Sequence, residues 1–173
     1  MSDRIEILQG DITQLKVDAI VNAANKSLLG GGGVDGAIHK VAGPELMKEC
    51  RALGGCETGH AKITNGYRLP ATWVIHTVGP VWANGENDED RLLAECYRNS
   101  LDLAAKCFVR TLAFPSISTG AFRFPVDRAA RIALREIAGF LAKNDSIQMV
   151  WVACFDKNTK EAYEKVLKEM FPE

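Results

Sequence analysis

The stretch 22-NAANKSLLGGGGVDGAIHK-40 puts two asparagines, four consecutive glycines and an aspartate into nineteen residues. Glycine loses more backbone freedom on ordering than any other residue, so a run of four inside a fold needs a reason. The chemistry such a run can do is anion binding. Without Cβ atoms in the way, the N–H groups of residues 30–33 can turn towards a ligand, and a helix beginning near Val34 adds the partial positive charge of its N-terminus. A phosphate or pyrophosphate suits this best. A floppy surface loop is the alternative, disfavoured because the run lies between a buried strand and a helix start.

A second glycine-bearing turn, 116-SISTGAFRFP-125, also joins a buried strand to a helix. Ser118, Thr119, Gly120 and Ala121 offer a second set of N–H donors, and two such loops facing each other would clamp a diphosphate from both sides. Phe122 and Phe124 are apolar for a surface turn; one is a candidate to cover a sugar ring, while Phe124 reads better as a plug of the core. Gly31, Gly33 and Gly36 satisfy the dinucleotide fingerprint G-x-G-x-x-G literally, yet six residues separate the strand from its first glycine. The region 45–57 reads as helix then turn, where that fingerprint needs a second strand ending in an acid. No Gly-Lys-Ser/Thr is present, which removes the P-loop.

The elements that must position these loops read as an alternation of strands and helices. Strands are predicted at 4–8, 18–24, 60–65, 73–78, 110–116 and 147–155, the last two almost continuously apolar, as expected of strands covered on both faces. Helical periodicity occupies 126–142, with Val126, Ala129, Ala130, Ala133, Leu134, Ile137, Ala138 and Leu141 on one side and Pro125 just ahead. A second helix runs from about Glu89 to Cys107, its start in the acidic cluster Asp88, Glu89, Asp90 suited to the helix dipole. A last one lies near 158–170. The fold class this implies is α/β, with a mixed or mainly parallel sheet of about six strands between helical layers. There is no internal repeat or linker, and 82–90 is too short to divide two domains, so 1–173 is expected to be one domain.

With 173 residues, 47% apolar and 25% charged, the chain has the make-up of an ordinary globular protein able to bury one core. A net charge of −1 gives no support to nucleic acid or an anionic membrane as a partner. Five cysteines without a C-x-x-C spacing suggest buried thiols and a reducing, cytoplasmic location rather than a disulfide framework. Cys50, Cys56 and His60 match no common zinc spacing, so no metal is expected. MSDRIEILQGDIT lacks the apolar core of a signal peptide, and no run approaches the ~18 apolar residues of a membrane span.

Taken together, 10-GDIT-13, 20-IVNAAN-25, 30-GGGGVDGAIH-39, 76-HTVGPVW-82 and 114-FPSISTGAFRFP-125 resemble the macrodomain family, in family order and over almost the whole chain. The resemblance is to the branch containing bacterial O-acetyl-ADP-ribose deacetylases and mono-ADP-ribosyl hydrolases. It implies a three-layer α/β/α sandwich with ADP-ribose across the strand ends. Asp11 would accept from the adenine amino group and the Ile12 N–H would contact the ring, although an N-cap is the residue-level alternative for Asp11. Phe155 is a candidate to stack on adenine. Gly32, Gly33 and Val34 on one side and Ser118, Thr119, Gly120, Ala121 and Phe122 on the other would hold the diphosphate, with Phe122 beside the distal ribose.

The resemblance further places Asn25 and Asp35 around the distal ribose as a catalytic pair, Asn25 orienting its hydroxyls and Asp35 positioning or activating water. A carboxylate beside a water can accept its proton as the water attacks an ester carbonyl or the anomeric carbon. A turn former at 25 and a helix N-terminal acid at 35 are the plain alternatives. His39 reads as a brace for the first helical turn and His76 as a core histidine. The implied activity is metal- and cofactor-independent hydrolysis of O-acetyl-ADP-ribose, of mono-ADP-ribosylated acidic side chains, or of both. A non-catalytic ADP-ribose reader is the alternative. Arg123 departs from the glycine often found at its place in the family.

Overall fold

The computed structural model describes residues 2–172. Six strands, β1 (Ile5–Gln9), β2 (Ala19–Ala24), β3 (Ala61–Asn65), β4 (Trp73–Val78), β5 (Thr111–Phe114) and β6 (Met149–Cys154), form one sheet in the order β1-β6-β5-β2-β4-β3. Every neighbouring pair is parallel except β3, which runs antiparallel to β4 at one edge. Five helices connect them: α1 (Gly33–Ala42), α2 (Pro44–Leu53), α3 (Glu89–Lys106), α4 (Val126–Lys143) and α5 (Lys157–Met170). The expected mixed, mainly parallel α/β sandwich is the observed fold. Strand β5 is shorter than the apolar run 110–116, since Pro115 has no N–H to continue a ladder.

The sheet is buried on both faces because alternate side chains enter different cores. In β2, Ala19 and Val21 join the cluster under α3, α4 and α5, while Ile20 and Ala24 join the one under α1 and α2. Strands β4, β5 and β6 split in the same way, Ile75, Leu112 and Val150 to the first cluster and Val74, Ala113 and Ala153 to the second. Each fully buried Leu or Ile contributes about 1.5–3 kcal/mol. The polar exceptions are the informative residues. Asn22 and His76, with no exposure, lie on the α1/α2 face beside apolar neighbours of the same parity.

Two tyrosines lock the second glycine turn from below. Tyr97 of α3 and Tyr163 of α5 are fully buried. The Tyr97 hydroxyl accepts from the Ile117 N–H at 3.2 Å, and Tyr163 meets Ser116 Oγ at 2.9 Å. Thr119 Oγ1 donates to that same Ser116 Oγ at 2.7 Å, so the hydroxyl ladder reaches the turn itself. Replacing Tyr163 by Phe removes one rung without opening a cavity. Urea unfolding followed by circular dichroism should show a loss of ~1 kcal/mol.

Candidate active site

Five parallel strands end on the same edge of the sheet, and every candidate site residue lies just beyond one of them. Across that edge, in sheet order, come Asp11 and Ile12 after β1, Phe155 after β6, residues 118–122 after β5, Asn25 and the glycine run after β2, and Gly79 to Trp82 after β4. Three strand spacings separate β1 from β2, about 14 Å. That is room for an extended ligand lying across the strand ends, with the aromatic Phe155 at one end, 92% exposed, and Asp35 towards the other.

At the β1 end, Asp11 caps a short 3-10 turn, its Oδ1 accepting from Thr13 N–H at 2.9 Å and from Thr13 Oγ1 at 2.7 Å. The capping alternative is therefore realised, and both bonds fall on one oxygen.

The loop after β2 is shaped by its own polar groups. Asn25 Nδ2 donates to Gly30 O at 2.7 Å and its Oδ1 accepts from Ser27 Oγ at 2.7 Å. Helix α1 starts at Gly33, one residue before the expected start, with Gly32 as N-cap. The glycines serve two purposes. Gly30 and Gly33 have φ of +90° and +57°, the left-handed region that glycine enters without strain. Gly31 keeps space open, since a Cβ there would stand 3.2 Å from Asp35 Oδ2 and 3.4 Å from Asn25 Nδ2. Gly31 thus lies between the two side chains of the expected pair. At Gly36 a Cβ would meet Gly31 O at 2.6 Å, so this glycine lets the loop fold back on its helix.

Asp35 is only 4% exposed. It lies in the first turn of α1, where the helix dipole favours its charge. Its Oδ1 accepts from Asn22 Nδ2 at 2.8 Å, and His39 Nε2 is 3.4 Å from the same oxygen. The His39 contact lacks hydrogen-bond geometry, since neither ring nitrogen has a hydrogen-bond partner among the described residues. His39, expected to brace this turn, lies beside Asp35 without a hydrogen bond to it.

The facing loop is strained and undersupplied with partners. Ser118 adopts φ +66° and Arg123 φ +63°, and buried Ser118 Oγ has no partner among the described residues. Among those residues the backbone amides of 119–122 and of 31–34 donate to no protein acceptor. Two banks of N–H groups thus flank the centre of the sheet edge, which is the arrangement that receives an anion. Phe124 is buried against Trp82, at a ring-centroid separation of 4.8 Å, and plugs the core; Phe122 is half-buried.

Sequence reasoning quoted 76-HTVGPVW-82 as a motif and assigned no role to the loop after β4. The Trp82 N–H donates to Phe122 O at 2.8 Å, tying this loop to the anion turn. A Cβ on Gly79 would stand 2.2 Å from Ser118 Oγ, so only glycine permits the contact. Glu89, expected to serve the helix dipole, instead turns back and accepts from the N–H groups of Ala83, Gly85 and Asn87. Those bonds outweigh its burial and hold its carboxyl below the usual range. Asp90 pairs with Arg128, whose guanidinium lies 5.1 Å from the Trp82 ring centroid.

Burial depresses the His76 imidazole to about 3, with the neighbouring His39 adding to the effect. Burial likewise pushes the Cys50 thiol up to about 11, with the Asp35 and Glu49 charges adding to it, so Cys50 is no nucleophile at neutral pH. Among the described residues no cluster of His, Cys, Asp and Glu could hold a metal, and no helix is long and apolar enough to cross a membrane.

An α/β sheet whose strand ends carry, among the described residues, two banks of unpaired amides and a buried carboxylate has the donors that suit a phosphate-bearing ligand. The Macro domain family model matches residues 21–133, and the chain belongs to that family. It is 56% identical to a Macro domain-containing protein of Methanosarcina mazei over 97% of this chain and 90% of that one. It is 51% identical to the O-acetyl-ADP-ribose deacetylase of Escherichia fergusonii over 98% of both chains. The Trypanosoma brucei macrodomain in complex with ADP-ribose superimposes with a TM-score of 0.89 at 47% identity, covering 94% of this chain and 68% of that one.

Two outcomes follow from this geometry. Arg123→Gly relieves a left-handed residue worth about 1–2 kcal/mol and adds about 0.5–1 kcal/mol of backbone entropy cost, so a net gain of about 0.5–1 kcal/mol is expected in urea unfolding. His76 stays neutral in the fold and takes up a proton when unfolded. Its contribution is therefore complete above pH ~6.5 and is lost as pH falls from there towards 3, on the order of 5 kcal/mol in all. His76→Gln should flatten the stability–pH profile between pH 6.5 and 4.5, above the carboxylate range.

Proposed function

We propose that the chain binds ADP-ribose across the carboxyl edge of its sheet and hydrolyses esters of the distal ribose. The substrates are O-acetyl-ADP-ribose and mono-ADP-ribosylated acidic side chains, which share that ester chemistry. The observation that carries this reading is Asp35: a buried carboxylate with Oδ1 held by Asn22 and Oδ2 turned to Gly31, where Asn25 also reaches. A reader module needs the amide banks and has no need of a charge buried at this point. Adenine would lie by Asp11, Ile12 and Phe155, the diphosphate between Gly32–Val34 and residues 118–122, and the distal ribose by Phe122 and Asn25.

In the proposed reaction a water beside Asp35 attacks the ester carbonyl, forming the new C–O bond and breaking the bond to the ribose oxygen. The carboxylate, together with the diphosphate, takes the water's proton, which passes to the departing ribose hydroxyl. The products are the free acid and ADP-ribose. For a protein-linked ester the water can attack the anomeric carbon instead, with the side-chain carboxylate leaving. The free thiols, four of the five buried, support a reducing, cytoplasmic setting as part of the same reading.

The test is release of ADP-ribose from O-acetyl-ADP-ribose and from a glutamate-linked modified protein, followed by mass spectrometry, with Asp35→Ala beside the wild type. Turnover should fall roughly a hundredfold or more in the variant while ADP-ribose affinity stays within a few-fold. Tight ADP-ribose binding with no wild-type turnover would make the protein a reader.

A further inference from the structure

Behind Asp35 a line of buried polar groups crosses three strands. Asn22 of β2 and His76 of β4 are register partners, and β3 pairs with the other side of β4, Lys62 opposite His76 and Thr64 opposite Val74. Thr64, His76 and Asn22 are all within 1% of full burial, on the face covered by α1 and α2. Asn22 Nδ2 lies 2.8 Å from Asp35 Oδ1 and 3.1 Å from His76 Nδ1. On the far side of the ring, Nε2 lies 2.9 Å from Thr64 Oγ1 and 3.8 Å from Cys50 Sγ. The other titratable groups facing this line are Asp35 and His39 of α1.

We propose that His76 is a positioning residue for Asp35: the Thr64 hydroxyl holds its proton on Nε2, and its bare Nδ1 fixes the Asn22 amide so that Asn22 donates to the carboxylate. The donor count supports this. An amide nitrogen carries two hydrogens, and each faces one acceptor, Asp35 Oδ1 and His76 Nδ1. A proton on Nδ1 would face an N–H₂ group, so Asn22 would have to turn over. Its Oδ1 would then point at Asp35 Oδ1, placing two acceptors against each other in a buried site.

Asn22 Oδ1 itself has no partner among the described residues, so the amide is oriented from its nitrogen side alone. Burial keeps the ring neutral, as this arrangement requires. The amide in turn fixes Oδ1 of Asp35 and leaves Oδ2 towards Gly31, where the water would stand.

This rests on the reading of Asp35 as the residue that handles the attacking water, and its test separates the two. The ¹⁵N NMR signals of the His76 ring report its tautomer without any turnover. The wild type should show Nε2–H and an unprotonated Nδ1. Thr64→Val, which keeps the shape and removes the acceptor, should populate the Nδ1–H form. It should also lower kcat roughly tenfold or more, with KM and ADP-ribose affinity within twofold. Thr64→Ser, which restores a hydroxyl, should recover both tautomer and kcat.

A purely structural role would lower the melting temperature of Thr64→Val and leave kcat per folded molecule unchanged, which would overturn the proposal. An Nδ1–H tautomer in the wild type, or a fall in kcat without a change of tautomer, would overturn it equally. If the wild type turns over neither substrate while the tautomer switches as described, the hydrolase reading fails and the His76–Asn22–Asp35 coupling stands.

Discussion

A carboxylate held out of water at the head of α1 is the constraint on which the site depends. Removing a charge from solvent is costly unless dipoles replace the lost water. Here three features do so: the α1 N-terminus, the Asn22 amide and the nearby His39 ring. The dipole and His39 belong to α1 and the amide to β2, with His76 of β4 3.1 Å from that amide, so Asp35 holds its geometry only if β2, β4 and α1 are correctly assembled. The glycines around it follow from the same constraint. Gly31 leaves space beside Oδ2, and Gly36 lets the loop close over the helix that carries the carboxylate.

The anion turn is held by a parallel logic. Its backbone enters the left-handed region at Ser118 and Arg123, conformations that persist only where neighbours enforce them. Those neighbours are the tyrosine hydroxyls below, Gly79 packed against Ser118, and the Trp82 N–H bound to Phe122 O. Glu89 completes the set by gathering three amides of the loop that carries Trp82. Donors fixed in this way need little reorganisation when charge arrives, which is what makes backbone amides effective around a diphosphate. In the proposed binding, such amides would hold a diphosphate without an arginine cluster, which accords with the net charge of −1.

Much of this was legible in the residues. Apolar runs with β-branched content located all six strands to within one or two positions at most ends, and 3.6-residue periodicity located α3, α4 and α5. The run 110–116 overreached β5 because hydrophobicity continues through Pro115 into a buried turn, while the ladder stops at Phe114. For Phe124 the core reading holds, since its ring packs on Trp82. Asp11 shows the limit of local reasoning: its cap is a contact two residues away, visible in the sequence, and any role towards a ligand concerns an oxygen outside that pattern.

By itself the sequence determined the order of elements, the mainly parallel sheet and the placing of two glycine turns at strand-to-helix junctions. These depend on periodicity and on the conformational range of single residues, which are local properties. Only the tertiary structure decided that Asn22 faces His76, that Thr64 completes the line, that Gly79 meets Ser118 and that Glu89 turns inward. A strand's two-residue period tells which face a side chain takes and is silent on which strand lies beside it. That choice is made by sheet order and register, which arise when distant segments pack. The polar line behind Asp35 joins residues up to 54 positions apart, and no local pattern could have announced it.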